Sequence, residues 1–217
     1  MLHQGIHPCA RIAAVALAGL LLCFTSACST LQQMGTPAGH GMPTRMGSMP
    51  QGGAAARNQV HQILEDRAPN LEDRDRQGVI DAIFSAQQEH GFEPSLLLAL
   101  MQVESGFNPA ARSSQGALGL MQVQLFSGQL MARELGIEWR GKSTLLDPQQ
   151  NIRIGAAYLA RMRDTFSDLE LSLAAYNVGP GRLQQILEKG NRPTGVYARK
   201  VQSRQAEIAS LASPTRP

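Results

Sequence analysis

The sequence predicts an all-α protein with a single helical domain behind an N-terminal leader and linker. In residues 58–217, apolar side chains recur at helical spacing, and no run alternates convincingly between apolar and polar residues as a half-buried strand would. Helix start and stop signals, such as Asp147-Pro148 and Gly91, divide this part of the chain into segments. Because the length is enough for one hydrophobic core and not for two, we predict one domain.

The first helix is predicted to run from Asn70 to His90. Asn70 can cap its N-terminus, Glu72 and Asp73 lie near the positive end of the helix dipole, and Gly91 follows the last turn. Similar signals place the remaining helices. Their predicted ranges are Pro94 to about Ser105 with Gly106 as the exit, Ser127 to Leu135, Pro148 to about Phe166, Ser167 or Asp168 to Tyr176-Asn177, Pro180 to about Leu187, and about Thr194 to Leu211.

The first 27 residues have the pattern of an exported chain. Arg11 precedes an apolar run from Ile12 to Phe24, which is too short for a membrane span and typical of a signal-peptide core. The run ends in Thr25-Ser26-Ala27-Cys28, which resembles the lipobox of bacterial lipoproteins, where the cysteine is lipidated. An ordinary secretory signal cleaved after Ala27 is the alternative interpretation.

Cysteine usage agrees with export. Cys9 and Cys23 lie in the segment to be removed, so Cys28 would be alone in the mature chain and no internal disulfide could form. Ser29 is not aspartate, and the bacterial sorting pattern then favours the outer membrane. We therefore expect a protein anchored by a lipid at Cys28 to the periplasmic face of the outer membrane, or otherwise a periplasmic or secreted protein.

Residues 28–57 are rich in Gly, Pro, Met, Ser and Gln and have no apolar periodicity. Such a segment cannot bury enough surface to offset its ordering entropy, so we predict a flexible linker. Its methionines could indicate a soft-metal or partner site, but no clean repeat of them supports that interpretation. The predicted organisation is thus a lipoprotein signal peptide in residues 1–27, a linker in residues 28–57 and the helical domain in residues 58–217.

Glu104 is the most informative residue of the helical domain. It shares one face of its predicted helix with Leu97, Leu100 and Met101. An apolar surrounding disfavours the ionised carboxyl, raises its pKa and makes it a usable general acid. The alternative is a carboxylate that caps a helix or forms a salt bridge. The residues that follow favour a site, because they combine glycines with neutral polar side chains, as suits close approach to a sugar: Gly106, Ser113, Ser114, Gln115, Gly116, Gly119 and Gln122.

Four groups of residues occur in an order that is informative. They are Glu104-Ser105-Gly106-Phe107-Asn108-Pro109 with Ser113 and Gly116-Ala117-Leu118-Gly119-Leu120-Met121-Gln122-Val123; Asn151-Ile152 with Gly155 and Tyr158-Leu159; Ala174-Ala175-Tyr176-Asn177-Val178-Gly179-Pro180-Gly181; and, more weakly, Thr194 with Tyr197 and Val201. This pattern resembles the soluble lytic transglycosylase (SLT) catalytic domain of goose-lysozyme-like bacterial enzymes. Four ordered matches are more specific than any one of them. After Val123 the family carries a proline two residues on, where this chain has Gln124-Leu125.

The resemblance implies a lysozyme-like helical fold and a lytic transglycosylase that uses no cofactor. Glu104 would protonate the oxygen leaving the anomeric carbon of N-acetylmuramic acid (MurNAc), at its bond to N-acetylglucosamine (GlcNAc). Its carboxylate would then accept the proton of the muramoyl C6 hydroxyl, whose oxygen closes a 1,6-anhydro ring. The residues themselves agree with one carboxylate, since no Asp or Glu occurs between Ser105 and Arg133.

The resemblance also implies substrate-binding roles for five residues. Ser113 and Gln122 would hydrogen-bond the N-acetyl group or sugar hydroxyls, Met121 would form part of the sugar-facing wall, Tyr176 would position or polarise groups near the acid, and Asn177 would brace its loop. Each has a structural alternative where the residues alone are considered: Ser113 as a turn residue, Met121 in the core, Tyr176 packed at a rim. For Asn151 and Tyr158 we favour structural roles.

Charge and composition limit the partners. The formal charge of +3 is modest, aromatic residues are sparse and there is no dense basic stripe, so nucleic acid is not expected. The histidines lack ligand spacing, and no metal is predicted. The expected partner is the peptidoglycan glycan strand, which Arg199, Lys200 and Arg204 could meet unless they form a solvated face. Whether cell-wall or secretion machinery is a further partner is left open.

Two other functions remain compatible with the sequence. A goose-type muramidase would hydrolyse the same bond with water, although no second carboxylate has a site-like context. A non-catalytic peptidoglycan-binding protein would keep the cleft without the reaction. The presence of Glu104 with its neighbouring motif residues favours the enzyme.

Overall fold

The computed structural model describes residues 51–212, so the predicted signal peptide, Cys28 and most of the predicted linker lie outside the described residues. Within this range the chain forms helices without any strand longer than an isolated bridge. The helices are α1 (Gln51–Arg67), α2 (Asp73–His90), α3 (Pro94–Ser105), α4 (Leu125–Glu134), α5 (Lys142–Leu146), α6 (Pro148–Phe166), α7 (Leu169–Val178), α8 (Pro180–Glu188) and α9 (Val196–Ala212). The all-α prediction is confirmed for this part of the chain.

Helix α3 lies in the middle of the hydrophobic core. Six consecutive residues, Leu96 to Met101, are buried, so this helix is apolar all round over most of its length. It packs mainly against α9, while α2 packs along α6 and α6 against α7. The core thereby holds the middle of α3, while its two ends, Pro94 to Ser95 and residues 102–105, are partly exposed.

Several predicted helix ends are confirmed by their capping contacts. The Asp147 side chain accepts a hydrogen bond from the Gln150 N–H at 2.9 Å, directly before Pro148 begins α6. Asp168, rather than Ser167, caps α7 by accepting from the Leu171 N–H at 2.8 Å. Proline at the start and a left-handed glycine at the end delimit α3, as predicted.

The start of α2 differs from the prediction. Asn70 does not cap it, because residues 68–71 form a turn in which the Leu71 N–H donates to the Ala68 carbonyl at 3.0 Å. The helix begins at Asp73 with Glu72 in the N-cap position. Buried Arg76 fixes this turn by donating to the Leu71 carbonyl at 2.9 Å.

The helical domain begins earlier than predicted. Helix α1 starts at Gln51, so residues 51–57 are helical although the sequence analysis placed them in the linker. Arg57, within this stretch, forms a salt bridge with Asp81 and lies over the ring of Phe84, 5.0 Å from its centroid. These contacts pack the early turns of α1 against α2, and composition alone does not predict them.

Helix α4 also begins before the predicted residue. The Gly128 N–H donates to the Gln124 carbonyl at 2.8 Å, which makes Gln124 the N-cap and places Ser127 inside the first turn. The short helix α5 was not predicted. Its residues Thr144 and Leu145 are buried, and the Thr144 hydroxyl accepts a hydrogen bond from the Arg140 N–H at 2.8 Å.

The described residues contain neither a membrane-spanning helix nor a metal-ligand cluster. In residues 51–212 none of the helices has both the length and the apolar character needed to cross a membrane. The same residues contain no cluster of three or more His, Cys, Asp or Glu side chains that could hold a metal ion.

Candidate active site

A cleft of about 740 Å³ lies beside the C-terminal end of α3. This volume is in the upper part of the range of ligand pockets. Its walls come from the α3–α4 loop, the start of α4, α6 and the α7–α8 junction. Among the described residues that line it, Glu104 is the one acidic side chain, while Arg161 and Arg182 are basic. The other polar lining residues include Ser113, Gln115, Gln122, Gln124, Ser127, Tyr158, Tyr176 and Asn177.

Glu104 is placed by the end of its helix. It occupies the last turn of α3, and the turns before it are anchored by Leu97, Leu100 and Met101, all fully buried. Gly106 then takes a left-handed conformation, with φ of 58°, and directs the chain away from the helix axis. The carboxyl group therefore projects from a rigid core into the cleft and is partly buried.

The pKa of Glu104 is raised above its ordinary value. Burial is the largest cause, because the ionised carboxylate loses hydration. A hydrogen bond from Tyr197 and the positive charge of Lys200 act in the opposite direction, since both favour the carboxylate. The net effect is a carboxyl group that holds a proton at a higher pH than an exposed glutamate does.

Tyr197 is the closest polar partner of the acid. Its hydroxyl, from the first turn of α9, donates a hydrogen bond to Glu104 Oε1. Burial and the Glu104 charge raise the pKa of Tyr197, so this tyrosine stays protonated and remains a donor. The bond orients the carboxyl group across the interface of α3 and α9.

The loop between α3 and α4 is anchored by one buried side chain. Asn151 of α6 is fully buried and accepts from the Met121 N–H at 2.7 Å. Its Nδ2 donates to the carbonyls of Leu118 at 2.9 Å and Leu145 at 2.8 Å. Ser105 adds a further contact, because its hydroxyl lies 2.8 Å from the Leu120 carbonyl oxygen. Asn151 thus has the structural role that the sequence analysis favoured.

Two glycines permit this close packing. At Gly119, where φ is 77°, a Cβ atom would lie 2.4 Å from both Asn151 Nδ2 and the Leu145 carbonyl oxygen. At Gly155 a Cβ atom would lie 2.7 Å from Met121 Sδ. Only glycine allows the loop and α6 to approach this closely.

Ser113 and Gln122 both line the cleft and also stabilise the loop. Ser113 Oγ accepts from the Ala117 N–H at 2.9 Å, within a turn. Gln122 Nε2 donates to the carbonyls of Gly119 at 2.9 Å and Ala111 at 3.2 Å. Gln122 Oε1 accepts no hydrogen bond from residues 51–212, so it remains available to a ligand.

Tyr176 and Met121 are joined by a hydrogen bond. The Tyr176 hydroxyl donates to the Met121 carbonyl at 2.7 Å, and its ring packs against Tyr158 with centroids 5.4 Å apart. Burial and the nearby Glu104 charge raise the pKa of Tyr176. The Met121 side chain is fully buried against Gly155 and does not line the cleft, so the structure does not bring it to the sugar-facing wall.

Asn177 is exposed at the cleft edge. Its side chain forms no hydrogen bond with the residues that the structure describes. No such bond therefore supports the bracing role that the resemblance implies. It stands instead next to Gly179 and Pro180, where α7 ends and α8 begins, with its amide open to the cleft.

The comparison with family models identifies the domain. Residues 81–195, more than half of the chain, match the transglycosylase SLT domain. The chain belongs to this family. The match begins within α2 and ends just before α9, so it contains Glu104 and all five predicted substrate-binding residues but stops short of Tyr197.

The SLT domain of this chain is similar to named relatives. It is 33% identical to the membrane-bound lytic murein transglycosylase C of Sodalis glossinidius, over 60% of this chain and 40% of the relative. It is 36% identical to the protein of the same name from Cronobacter sakazakii, over 58% of this chain and 38% of the relative. The matched part thus spans about two fifths of the length of these curated relatives.

Among solved structures, the chain resembles an inactive mutant of the lytic transglycosylase Slt from Pseudomonas aeruginosa. The TM-score is 0.55 and the sequence identity is 29%, covering 71% of this chain and 27% of that one. This likeness supports the all-helical architecture of the domain.

Tyr197 was missed as a site residue by sequence reasoning. It appeared only in the weakest of the four matching groups, and 93 positions separate it from Glu104. Nothing local indicates that α9 packs against α3. The one available signal was the tyrosine of the Thr194 and Tyr197 group, which lies one helical turn before Lys200.

Replacing Tyr197 with phenylalanine is expected to raise the pKa of Glu104. The variant removes a hydrogen bond that favours the ionised carboxylate, while burial, which disfavours it, remains. A carbon-13 NMR titration of the glutamate carboxyl groups measures the midpoint directly. The matched control is Tyr158→Phe, whose hydroxyl lines the same cleft but does not bond Glu104, and which should leave the midpoint unchanged. A midpoint in Tyr197→Phe at or below that of the wild type would contradict this account.

Proposed function

We propose that the protein is a peptidoglycan lytic transglycosylase that cleaves the bond between MurNAc and GlcNAc without consuming water. The observation that carries the proposal is Glu104, a partly buried carboxyl group with a raised pKa in a cleft whose described lining holds no second acid. Membership of the SLT family and the names of the relatives support the substrate class.

In the first step Glu104 acts as a general acid. Its raised pKa lets it hold a proton at a higher pH than an exposed glutamate does, and this proton passes to the glycosidic oxygen. The bond between that oxygen and the MurNAc anomeric carbon breaks, and the bonding electrons stay with the oxygen. The GlcNAc-containing fragment therefore leaves with a hydroxyl group, and positive charge develops on the MurNAc ring.

In the second step the same carboxylate acts as a base. It accepts the proton of the muramoyl C6 hydroxyl while the C6 oxygen attacks the anomeric carbon. The new bond closes a 1,6-anhydro ring and Glu104 regains the proton it gave up, so the reaction balances without water. The Tyr197 hydroxyl stabilises the carboxylate between the two steps by donating to Oε1.

The absence of a second acid in the described lining disfavours hydrolysis. Two-carboxylate glycosidases hold their acids roughly 5 to 9.5 Å apart so that one can activate water or attack the sugar. In this cleft the other charged residues are Arg161 and Arg182, and neither is a carboxylate. The goose-type muramidase is therefore the weaker candidate.

Substrate binding falls to neutral polar groups. In the proposed complex, Gln122 Oε1 accepts from the N-acetyl N–H or a sugar hydroxyl, while Ser113 from the α3–α4 loop and Asn177 from the end of α7 bond sugar hydroxyls. Tyr176 contributes indirectly, because it fixes the Met121 carbonyl and with it the backbone next to Gln122. Met121 then supports the site from the core rather than touching the sugar.

We also propose that Cys28 carries a lipid that holds the enzyme at the periplasmic face of the outer membrane. Support comes from the segment Thr25-Ser26-Ala27-Cys28, from Ser29, and from the words "membrane-bound" in the names of the relatives. A Cys28→Ala variant should no longer fractionate with the outer membrane. Retention of that variant in the outer-membrane fraction would contradict the lipid anchor.

The experiment that tests the proposed activity uses purified sacculi. The protein is expected to release soluble muropeptides in proportion to time and enzyme concentration. A non-catalytic peptidoglycan-binding protein would instead sediment with the sacculi and release nothing, and that outcome would overturn the proposed function.

A further inference from the structure

Phe126 is unusually exposed for an aromatic side chain. It is the second residue of α4, and 81% of its surface is accessible, more than for any other large apolar side chain in the described part of the molecule. The other described phenylalanines, Phe84, Phe92, Phe107 and Phe166, are buried or partly buried. A single exposed apolar residue is common on protein surfaces. The position of Phe126, however, indicates a function.

The ring lies in the wall of the cleft that contains Glu104. Ser127 and Leu130 of α4 line the same cleft, and Val178 lines it from the end of α7. Leu130 is 36% exposed and Val178 is 37% exposed. The first turns of α4 therefore present an aromatic ring, a hydroxyl group and an aliphatic side chain to the space that leads to the acid.

The opposite side of α4 is held firmly against the domain. At Gly128 a Cβ atom would lie 2.9 Å from Leu145 and 3.1 Å from the Trp139 ring, so the helix backbone sits directly on these side chains. Residues two apart in a helix point to nearly opposite sides. Phe126 therefore points away from the contact at Gly128, on a helix that the contact keeps in place.

This arrangement coincides with the departure of the chain from the family pattern. Where the family carries a proline, the chain has Leu125, and α4 begins there with Gln124 as its N-cap. The Gln124 side chain forms no capping bond and lines the cleft instead. Phe126 is thus flanked by two neutral polar side chains, those of Gln124 and Ser127.

We propose that Phe126 is a stacking platform for one N-acetylhexosamine ring of the glycan strand, at a subsite away from the reacting bond. The inference rests on the proposed function. A pyranose presents C–H groups on its face and hydroxyls at its edge, so it can cover an aromatic ring while Gln124 and Ser127 bond its rim. Continuity with the Glu104 cleft and the neutral side chains of Gln124 and Ser127, which line it with Phe126, favour a sugar as the occupant.

The platform selects for longer strands. A short oligomer can occupy the space beside Glu104 without reaching Phe126, whereas a longer one gains the stacking contact. Since this contact is equal in the ground state and the transition state, its loss raises KM and leaves kcat unchanged. Loss of one aromatic contact corresponds to an increase in KM of about fivefold to tenfold.

The test compares Phe126→Ala, Phe126→Leu and Phe126→Trp with the matched control Leu211→Ala, which shortens a 53% exposed apolar side chain outside the cleft. Binding of β-1,4-linked GlcNAc oligomers of increasing length is measured by calorimetry in a Glu104→Gln background. KM and kcat are measured on peptide-free glycan strands and on strands that carry peptides. Thermal melting checks that each variant is folded.

The proposal expects Phe126→Ala and Phe126→Leu to lose about fivefold to tenfold in affinity for long oligomers and nothing for short ones. Phe126→Trp should retain affinity, and Leu211→Ala should match the parent. Equal affinity of Phe126→Ala and the parent at every length would overturn the platform. An effect confined to strands that carry peptides would also overturn it, because the ring would then bind peptide.

Different results would overturn the proposed function and the Phe126 platform. If the wild-type protein releases no muropeptides from sacculi, the proposed function falls, while length-dependent oligomer binding through Phe126 still supports the platform. If release occurs and Phe126→Ala does not alter KM on long strands, the platform falls and the proposed function stands. No oligomer binding by any variant, together with no release, would overturn both.

Discussion

Replacing Glu104 with glutamine is expected to lower the rate of muropeptide release by about a thousandfold or more. Glutamine has nearly the same shape and can still accept the Tyr197 hydrogen bond, but it can neither donate a proton to the leaving oxygen nor accept one from the C6 hydroxyl. Because both proton transfers depend on the same group, no remaining side chain in the described lining can replace it. The measurement is the initial rate of soluble muropeptide release from sacculi.

The matched control is Glu188→Gln, which makes the same change on the exposed part of α8, outside the cleft. It should leave the rate unchanged. If Glu104→Gln kept more than a tenth of the wild-type rate, Glu104 could not be the group that transfers both protons. Binding of the variant to sacculi should persist, which separates loss of chemistry from loss of substrate.

Stability provides a second check on the same variant. The folded pKa of Glu104 lies above its ordinary value, so the folded state holds this proton more tightly than the unfolded chain does. The ionised, desolvated group therefore lowers the free energy of unfolding at pH values above the folded pKa, and this cost disappears as the pH falls below the ordinary glutamate pKa. Glu104→Gln should be at least as stable as the wild type at neutral pH. Any advantage in its free energy of unfolding over the wild type should shrink in acid.

Replacing Asn151 with alanine is expected to destabilise the domain by about 3 kcal/mol or more. The change removes the Asn151 bonds of the Met121 N–H and the Leu145 carbonyl, and one of the two bonds to the Leu118 carbonyl, which still accepts from the Val123 N–H at 3.0 Å. Each unpaired buried group costs on the order of 1–3 kcal/mol. Urea unfolding measures the free-energy difference.

Two further variants sharpen this second prediction. Asn151→Asp keeps the acceptor for the Met121 N–H but loses both donors and places a carboxylate against two carbonyls, so it should be destabilised at least as much as Asn151→Ala. Asn177→Ala removes an exposed amide and should change the free energy of unfolding by less than about 0.5 kcal/mol. A loss below about 1 kcal/mol for Asn151→Ala would mean that the loop is not anchored through this side chain.

Local signals in the sequence predicted those features that depend on nearby residues. The ends of α3 follow from Pro94 and Gly106, and the start of α6 follows from Asp147-Pro148, because caps and prolines act within one helical turn. The raised pKa of Glu104 was likewise predictable, since its apolar neighbours precede it on the same helix face.

Features that depend on tertiary contacts could not be predicted in the same way. Tyr197 reaches Glu104 only because α9 packs against α3. Helix α1 extends back to Gln51 because Arg57 forms a salt bridge with Asp81 and packs over the Phe84 ring, both on α2. In both cases the partner lies far along the chain, and no spacing rule links the two.

Met121 shows where a motif and a packing rule compete. The resemblance implies a place on the sugar-facing wall, whereas methionine in a helical protein is more often a core residue. In the structure its side chain fills the space left by the missing Cβ of Gly155. Its carbonyl accepts a hydrogen bond from Tyr176, and its N–H donates one to Asn151. The motif position matters here through the backbone rather than through the side chain.

The central claim is that one carboxylate performs both proton transfers and that no water enters the product. The most direct test is mass spectrometry of the muropeptides released from sacculi by the wild-type protein in water enriched in oxygen-18. The account predicts anhydro-muramoyl ends, lighter by one water than reducing ends, that carry no oxygen-18. Reducing MurNAc ends that contain oxygen-18 would show that water attacks the anomeric carbon, and would contradict the account.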